Sequence, residues 1–160
     1  MAAAAVRPER GGGILWDVTP PFVRREPKAP VRVAEYGVDG APSVELAVFH
    51  HGEDVSIEGQ TRAWLVQFEQ RDGSDTAQKA KRSELKVGPL TVNTVEVSGL
   101  YTGPVAMPGV QVTPERDSIL LGAIVSGPKG PVMFKLSGPH DGVERARAAF
   151  QQLLHSVRPE

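Results

Sequence analysis

The sequence predicts an α+β domain in which a central antiparallel sheet of about six to seven strands, arranged in hairpins, is flanked by two principal helices. Two patterns lead to this prediction. Short segments that alternate apolar and polar residues come in pairs joined by turn-forming residues, which is typical of β-hairpins. Two longer segments repeat apolar residues at steps of three and four, which is typical of helices that bury one side.

Length and composition limit the possible functions. The chain has 160 residues, which fits one domain with its own core. It contains no cysteine, which excludes disulfides, thiolate nucleophiles and cysteine-ligated metal centres. The net charge of -1 gives no overall attraction toward nucleic acid, and no segment is as long and apolar as a membrane span. We therefore expect no nucleic-acid partner, no membrane span and no cofactor.

Residues 1–13 are predicted to form a flexible tail, and residues 14–158 a single domain. The tail combines alanines, mixed charges and three consecutive glycines, so it has little apolar surface to bury. Its alanine run ends at Arg7, before it reaches the length of a signal-peptide core. The sequence as written indicates a soluble, cytoplasmic protein, whereas a chain that had lost an export signal would belong to the cell envelope.

The first hairpin follows a short apolar run at 14–16. Residues 31–36 and 43–50 alternate apolar and polar side chains, as strands with one buried face do. Asp39 and Gly40 lie between them and form a strong turn signal. The two segments are therefore predicted to pair.

A helix is predicted over 56–70, with Ser56 or Asp54 as its N-cap. Its apolar residues recur at helical spacing and predict a stripe that packs on the sheet: Ile57, Thr61, Trp64, Leu65 and Phe68. The polar segment 74–82 that follows is predicted to form a surface helix.

The second half of the chain predicts two more hairpins. Residues 84–87 and 90–97 flank a Gly-Pro turn, and 118–125 turns through 127–130 into 131–136. Because the segment 118–125 is almost entirely apolar, we expect it at the centre of the sheet with both faces covered.

The C-terminal helix has the clearest start signal in the chain. Asp141 is placed to cap it, and Glu144, three residues later, would complete a capping box. Its apolar stripe is Val143, Ala146, Phe150, Leu153, Leu154 and Val157. The polar side chains between these residues, Arg147 and Gln151 among them, are expected to face water, and Pro159 is expected to end the helix.

Several short strings occur in an order that resembles a known family. They are Trp16 with Pro20-Pro21, the segments 31–36 and 61–68, the hairpin strings 121–124 and 133–139, and the helix end 150–154. In this order they are similar to the PsbP-like / Mog-type α/β/α sandwich family, and to uncharacterised bacterial members of it, many of them envelope-associated. The resemblance covers residues 15–157.

The resemblance implies a three-layer sandwich around an antiparallel sheet. Relatives include the PsbP subunit of photosystem II and the Ran-binding Mog proteins of yeast, which are binding and assembly factors rather than recognised enzymes. No Ran-contacting or metal-binding residue of these relatives can be matched in this sequence. Only the fold carries over, and a fold by itself does not define a function.

The densest group of possible metal ligands is His50, His51, Glu53 and Asp54. Histidine and carboxylate side chains bind zinc or copper. Adjacent histidines on a strand point to opposite faces, so only a bent loop brings both to one ion. The alternative is a polar connection whose acidic residues favour the N-terminus of the next helix.

No catalytic signature is present, so we expect that the protein is not an enzyme. No Gly-x-Ser-x-Gly string marks a serine nucleophile. The glycine-rich segment 127–130 lacks the spacing of a phosphate loop and precedes a predicted strand, which favours a hairpin turn.

Two short segments are rich in basic residues. The first holds Arg24, Arg25, Lys28 and Arg32, and the second holds Lys79, Lys81, Arg82 and Lys86. Nucleic-acid grooves usually add aromatic stacking residues, and aromatics are only 6% of this chain. A solvated surface is the plain interpretation of both segments, and docking of an acidic partner is the alternative.

A long loop predicted at 99–116 is the expected recognition surface. It carries Tyr101, Met107 and Val110 among prolines and polar residues, and long loops of this kind are often functional. The sequence therefore predicts a non-enzymatic binding or assembly module that engages a protein partner through its loops. The alternative is a small-ligand or metal-binding protein that uses the segment 50–54.

Overall fold

The computed structural model describes residues 8–28, 30–50, 56–102 and 115–160, apart from the side chains of residues 115 and 116. The strands are β1 (Glu9–Gly11), β2 (Ile14–Trp16), β3 (Phe22–Arg25), β4 (Arg32–Val38), β5 (Ala41–His50), β6 (Phe68–Glu69), β7 (Lys81–Val87), β8 (Leu90–Tyr101), β9 (Glu115–Gly127), β10 (Gly130–Pro139) and β11 (Arg158–Pro159). The helices are α1 (Ile57–Leu65), α2 (Thr76–Lys79) and α3 (His140–His155).

Eight of the strands form the main antiparallel sheet, in the order β3-β4-β5-β10-β9-β8-β6, with β7 also paired to β8. The hairpins β4–β5, β7–β8 and β9–β10 form its body, as the alternation in the sequence predicts. Strands β3 and β6 bring the number of strands above the expected six or seven. They have four and two residues, which is too short for an alternating pattern to reveal them.

The central strand β9 is covered on both faces, which accounts for its nearly continuous apolar run. Leu121 packs on one face of the sheet with Phe150 of α3. Its neighbour Leu120 packs on the other face with Trp64 of α1. The two principal helices therefore cover opposite faces of the sheet, and the layers are helix, sheet and helix.

Helix α1 is shorter than the apolar spacing predicts. The spacing extends the helix to residue 70, whereas α1 ends at Leu65 and Phe68 lies in β6. Phe68 is buried beside Trp64, as the predicted stripe requires, but it enters the core from a strand that pairs with Tyr101. A short helix followed by a turn and a strand thus places the same apolar residues in the core.

The two principal helices differ in how they begin. Ser56 caps α1 as predicted, because its hydroxyl accepts a hydrogen bond from the backbone N–H of Gly59. The predicted capping box of Asp141 and Glu144 is wrong. Strand β10 continues to Pro139, which occupies the N-cap position of α3 without a side-chain hydrogen bond, so Asp141 falls inside the first turn.

The polar segment 74–82 contains a helix of four residues and the start of a strand. Asp75 caps α2 by accepting a hydrogen bond from the N–H of Ala77. From Lys81 onward the chain pairs with β8, beginning opposite Glu96. The first half of β7 is exposed, so no apolar alternation in the sequence reveals it.

The helices themselves are short. The longest, α3, has 16 residues and buries one side only. None of the described helices is both long and apolar enough to span a membrane.

A second, three-stranded sheet brings both ends of the described chain together, with β2 between β1 and β11. Residues 1–13 are predicted as a tail, yet β1 lies within that segment. It turns into β2 through Gly12 and Gly13, whose φ angles of 59° and 86° suit glycine. Ile14 and Trp16 of β2 are fully buried, so this sheet packs against the core on the α3 side.

Candidate functional site

The proposed metal ligand His50 lies at the end of β5. Its Nε2 is 2.9 Å from the carbonyl oxygen of Lys129. Because a carbonyl only accepts hydrogen bonds, Nε2 carries the proton and only Nδ1 is left to bind a metal. His51, Glu53 and Asp54 lie outside the described residues. Within the described ranges no three potential ligands come together, and a metal site at 50–54 stays a prediction.

Of the three residues predicted for partner binding, only Tyr101 is described. It is half-buried at the end of β8, and its ring centroid lies 5.5 Å from that of Phe68. The next residue, Thr102, donates from its hydroxyl to the carbonyl oxygen of Gln67. Tyr101 therefore contributes to the α1 side of the core. Met107 and Val110 lie outside the described residues.

The first basic segment is largely neutralised inside the protein. Glu35 of β4 has no exposed surface, and its carboxylate lies 2.6 Å from Arg25 Nε and 2.6 Å from Arg32 Nη1. Both arginines also reach Glu45 of β5, and Lys28 Nζ lies 3.5 Å from it. A solvated basic surface is therefore the wrong description of Arg25 and Arg32, whereas Lys28 is exposed and reaches the same carboxylates from the surface.

Opposing effects determine the charge state of the two carboxylates. Burial alone would raise the pKa of Glu35, but hydrogen bonds from Arg32, from the backbone N–H of Lys28 and from Arg25 outweigh it and hold the pKa below its usual range. Burial would likewise raise the pKa of Glu45, and Arg32 reverses the direction. Both carboxylates therefore stay ionised and balance the cations around them.

The second basic segment remains on the surface, at one edge of the main sheet. Lys79 ends α2, while Lys81, Arg82 and Lys86 lie on β7, and all four are exposed. Arg82 Nη1 lies 3.0 Å from a carboxylate oxygen of Glu58 on α1. This ion pair is exposed and leaves Arg82 accessible to solvent.

A groove of about 400 Å³ lies between the β7–β8 hairpin and α3; we call it the β7–α3 groove. Buried apolar residues form its floor and exposed polar residues its rim: Leu121, Phe150 and Leu154, then Lys81, Ser83 and Gln151. Its volume falls within the range of about 300–1,000 Å³ that ligand pockets span, and apolar residues form its floor as they do in such pockets. Sequence analysis does not find it, because its walls are distant in the chain.

An ion pair joins the two walls of the groove. Arg147 of α3 lies 2.6 Å from Glu96 of β8 and also binds Glu144 of its own helix. Hydrogen bonds to Glu144 and Glu96 raise the pKa of Arg147, and the bond from Arg147 lowers the pKa of Glu144. The expectation that Arg147 faces water is therefore wrong. The sequence contains one signal of this ion pair. Glu96 shares a strand face with the apolar residues Leu90 and Val92, where a charged side chain needs a partner.

The similarity of this chain to known proteins is one of fold. No family model matches it, and no curated protein matches it at a significant level. Among solved structures it is similar to the solution structure of cyanobacterial PsbP (CyanoP) from Synechocystis sp. PCC 6803, with a TM-score of 0.59 and 12% sequence identity. The superposition covers 99% of this chain and 95% of that one.

The fold is PsbP-like. The predicted resemblance is confirmed at this level, with an α+β architecture and a mostly antiparallel sheet. At 12% identity the likeness shows the fold alone. The resemblance to Mog-type proteins and to bacterial members remains a prediction. The function of this PsbP-like domain has to be inferred from its own surface.

Proposed function

We propose that this domain is a non-enzymatic binding module that engages a protein partner at the β7–α3 groove and the adjoining edge of β7. The observation that carries the proposal is the free edge of β7. Strand β7 has seven residues and pairs with β8 on one side, and no described strand pairs with its other side.

A free strand edge is a recognition element. In an antiparallel pair, alternate residues direct their backbone N–H and C=O groups away from the partner strand. Along the outer side of β7, no strand of the described ranges pairs with these groups, which leaves them to a further strand. Strand addition of this kind gives affinity through backbone hydrogen bonds, and pockets for alternate side chains give specificity.

The groove supplies such a pocket beside the edge. Leu85 of β7 lines it and is only half-buried, while Phe150 and Leu154 of α3 lie across from it. An apolar floor with a polar rim is the usual composition of a protein-docking site. The two features lie on one continuous surface, which a single extended segment can cover.

The loop predicted to bind a partner is connected to the same edge. Strands β6 and β7 both pair with β8, and Tyr101 of β8 lies opposite Phe68 of β6. The loop that carries Met107 and Val110 follows Tyr101 in the chain. We include it in the proposal as a second contact region.

Site-specific photo-crosslinking in cells of the source organism tests the proposal. A photoreactive amino acid in place of Ser83, at the rim of the groove, is expected to capture one defined protein. The same amino acid in place of Gln152, which is exposed on α3 outside the groove, serves as the matched control. Capture of the same proteins from both positions, or of none from Ser83, contradicts the proposal.

The contribution of the loop is tested separately. Deletion of residues 102–113 is expected to leave the circular dichroism spectrum unchanged and to weaken crosslinking from Ser83. Undiminished crosslinking in the deleted protein would remove the loop from the docking surface while leaving the groove in place.

A further inference from the structure

We infer that the occupant of the β7–α3 groove is an extended acidic segment of another protein, which adds to β7 as a further strand. This inference rests on the proposed function and specifies the chemistry of the partner. It follows from three features of β7: its positive charge, the alternation of its side chains between two faces, and the repulsion between like charges that a second copy of β7 would meet.

The charge of β7 is positive although the whole chain is close to neutral. The strand carries Lys81, Arg82 and Lys86. Two carboxylates offset part of this charge: Glu84 lies 3.7 Å from Lys86 Nζ, and Glu58 of α1 pairs with Arg82. Lys79 adds a further cation just before it, and the net charge of the chain is only -1. The local excess attracts acidic side chains, and attraction between exposed groups chiefly sets which partner binds and how fast.

The two faces of β7 differ in chemistry. Lys81, Ser83 and Leu85 line the groove. Arg82 also borders it, but its guanidinium reaches Glu58 of α1, so the side chains of the alternate residues point to the opposite face. A strand added beside β7 continues this alternation. Every second side chain of the occupant then lies at the groove and its apolar floor, and the others lie beside Arg82 and Lys86.

The expected occupant therefore alternates apolar and acidic residues. The apolar positions pack toward Phe150 and Leu154, and the acidic positions face the cations on the far side of β7. Cross-strand pairs of opposite charge stabilise a sheet, and like charges directly opposite each other destabilise it. The same rule disfavours a second β7 strand, because antiparallel pairing centred on Glu84 places Arg82 opposite Lys86 and Glu84 opposite its own copy.

Synthetic peptides provide the probe. A fluorescein-labelled peptide of alternating valine and glutamate is titrated with the full chain and followed by fluorescence anisotropy. A peptide of alternating valine and lysine is the control. We expect the glutamate peptide to bind, with amide chemical-shift changes confined to β7, β8 and α3, and the lysine peptide not to bind. Added salt should weaken the binding, because the charges are exposed and screened.

Charge-reversal variants locate the binding. The double variant Arg82→Glu/Lys86→Glu is expected to bind the glutamate peptide at least about tenfold more weakly, since it replaces attraction by repulsion on the face where the acidic positions lie. The double variant Arg10→Glu/Lys129→Glu changes the net charge equally at exposed sites away from the groove and should bind as the unmodified protein does. Equal losses in both variants would show a general charge effect and overturn the inference.

A second pair of variants tests the groove without a change in charge. Gln151→Trp fills the groove and is expected to weaken binding about tenfold by obstructing the apolar positions. Gln152→Trp places the same side chain on α3 outside the groove and should have no effect. Chemical-shift mapping on the unmodified protein gives the result even if a variant does not fold.

Besides equal losses in the two charge-reversal variants, four outcomes overturn the inference: no binding of the glutamate peptide, equal binding of the lysine peptide, shift changes away from β7, and a dimer held by β7 in sedimentation analysis. If the peptide does not bind but a single protein crosslinks from Ser83, the proposed function stands and the partner is a folded surface. If the peptide does not bind and nothing crosslinks from Ser83, the proposed function and the inference about the occupant are both wrong.

Discussion

Glu35 has no exposed surface, and each of its carboxylate oxygens accepts a hydrogen bond from an arginine. The backbone N–H of Lys28 donates a further bond. A buried carboxylate is costly unless it is paired and hydrogen-bonded, so these contacts are what allow Glu35 to occupy β4. The same contacts tie β3 and the segment before β4 to the sheet.

The substitution Glu35→Gln is expected to lower the free energy of unfolding by about 1.5–3 kcal/mol, the usual value of hydrogen bonds to a charged group. The amide keeps the size of the side chain but leaves Arg25 and Arg32 with Glu45 as their one remaining acidic partner in the cluster. Urea denaturation followed by tryptophan fluorescence measures the change.

The control for this substitution is Asp117→Asn. Asp117 is exposed and pairs with Arg71 at 3.2 Å, and asparagine tolerates its positive φ of 41°. An exposed pair contributes about 0–1 kcal/mol. If Glu35→Gln proves as mild as Asp117→Asn, the contacts of Glu35 do not stabilise the fold as described.

The pH dependence of stability follows from the same carboxylate. The pKa of Glu35 is lower in the folded chain than in the unfolded chain, so its contribution is present above the unfolded pKa and is lost as the pH falls. The free energy of unfolding should therefore fall between about pH 5 and pH 3, near the unfolded glutamate pKa. The Glu35→Gln variant should fall less steeply over that range, and parallel curves would show that Glu35 does not contribute.

The sequence predicts the residues of this cluster but not their arrangement. It predicts a strand through Val33 and Tyr36 and a basic segment around it, and both are present. It places Arg25 and Arg32 in solvent because local periodicity contains no information on which acid faces them. That pairing depends on the register of β3, β4 and β5, which is decided by contacts distant in the chain.

At the scale of elements, α1 packs closely on β9 because one residue of that strand is a glycine. Gly122 lies in the central strand directly under the indole ring of Trp64. A Cβ atom at that position would overlap the ring, which is held among buried neighbours and is not the end of a flexible side chain. The absence of a side chain at Gly122 is therefore what allows α1 to lie close to the sheet.

The substitution Gly122→Ala is expected to destabilise the domain by about 1–3 kcal/mol, as overpacking in a dense core does. In a Trp64→Leu background the same substitution should cost much less, because the overlapping ring is absent. Chemical denaturation of the two single variants and the double variant measures this coupling. Simple additivity of the two changes would contradict the packing described here.

The elements that could be predicted are those with long, regular patterns. The three hairpins and α3 extend over enough residues for alternation or helical spacing to be recognised. The two-residue strand β6 is too short, and its Phe68 fits the helical spacing of α1 by coincidence. The exposed half of β7 has no apolar pattern, so the edge that we propose as a docking site could not be recognised before the fold was known.

At the scale of the whole molecule, β11 joins the end of the described chain to its beginning. Val157 is buried beside this strand, Arg158 Nη2 lies 3.2 Å from Asp17, and the backbone N–H of Glu160 donates to the carbonyl of Gly13. The small sheet therefore holds Trp16 in place on the α3 side of the core.

Removal of residues 157–160 is expected to lower the free energy of unfolding by at least about 1.5 kcal/mol, the value of one buried valine side chain. Thermal unfolding followed by circular dichroism measures the shift, and Val157→Ala separates the side chain from the strand. An unchanged midpoint in the truncated chain would show that β11 adds nothing to stability.

The fold class itself could be predicted from the sequence. Composition, hairpin signals and the final helix indicate an α+β domain, and the similarity to CyanoP confirms a PsbP-like fold. The small sheet could not be predicted, because strands of three, three and two residues carry no periodic signal and form only by contact between distant segments. The groove could not be predicted either, because the residues that form it are also distant in the chain.

The small sheet also has a practical consequence for rearranging the chain. Arg10 and Arg158 both lie beside Leu15, one on each side, so they are separated by two strand spacings, about 10 Å. A linker of a few residues can join them, and the new N- and C-termini can be placed in the exposed turn around Gly73. Such a circular permutant would keep every strand pairing of the main sheet.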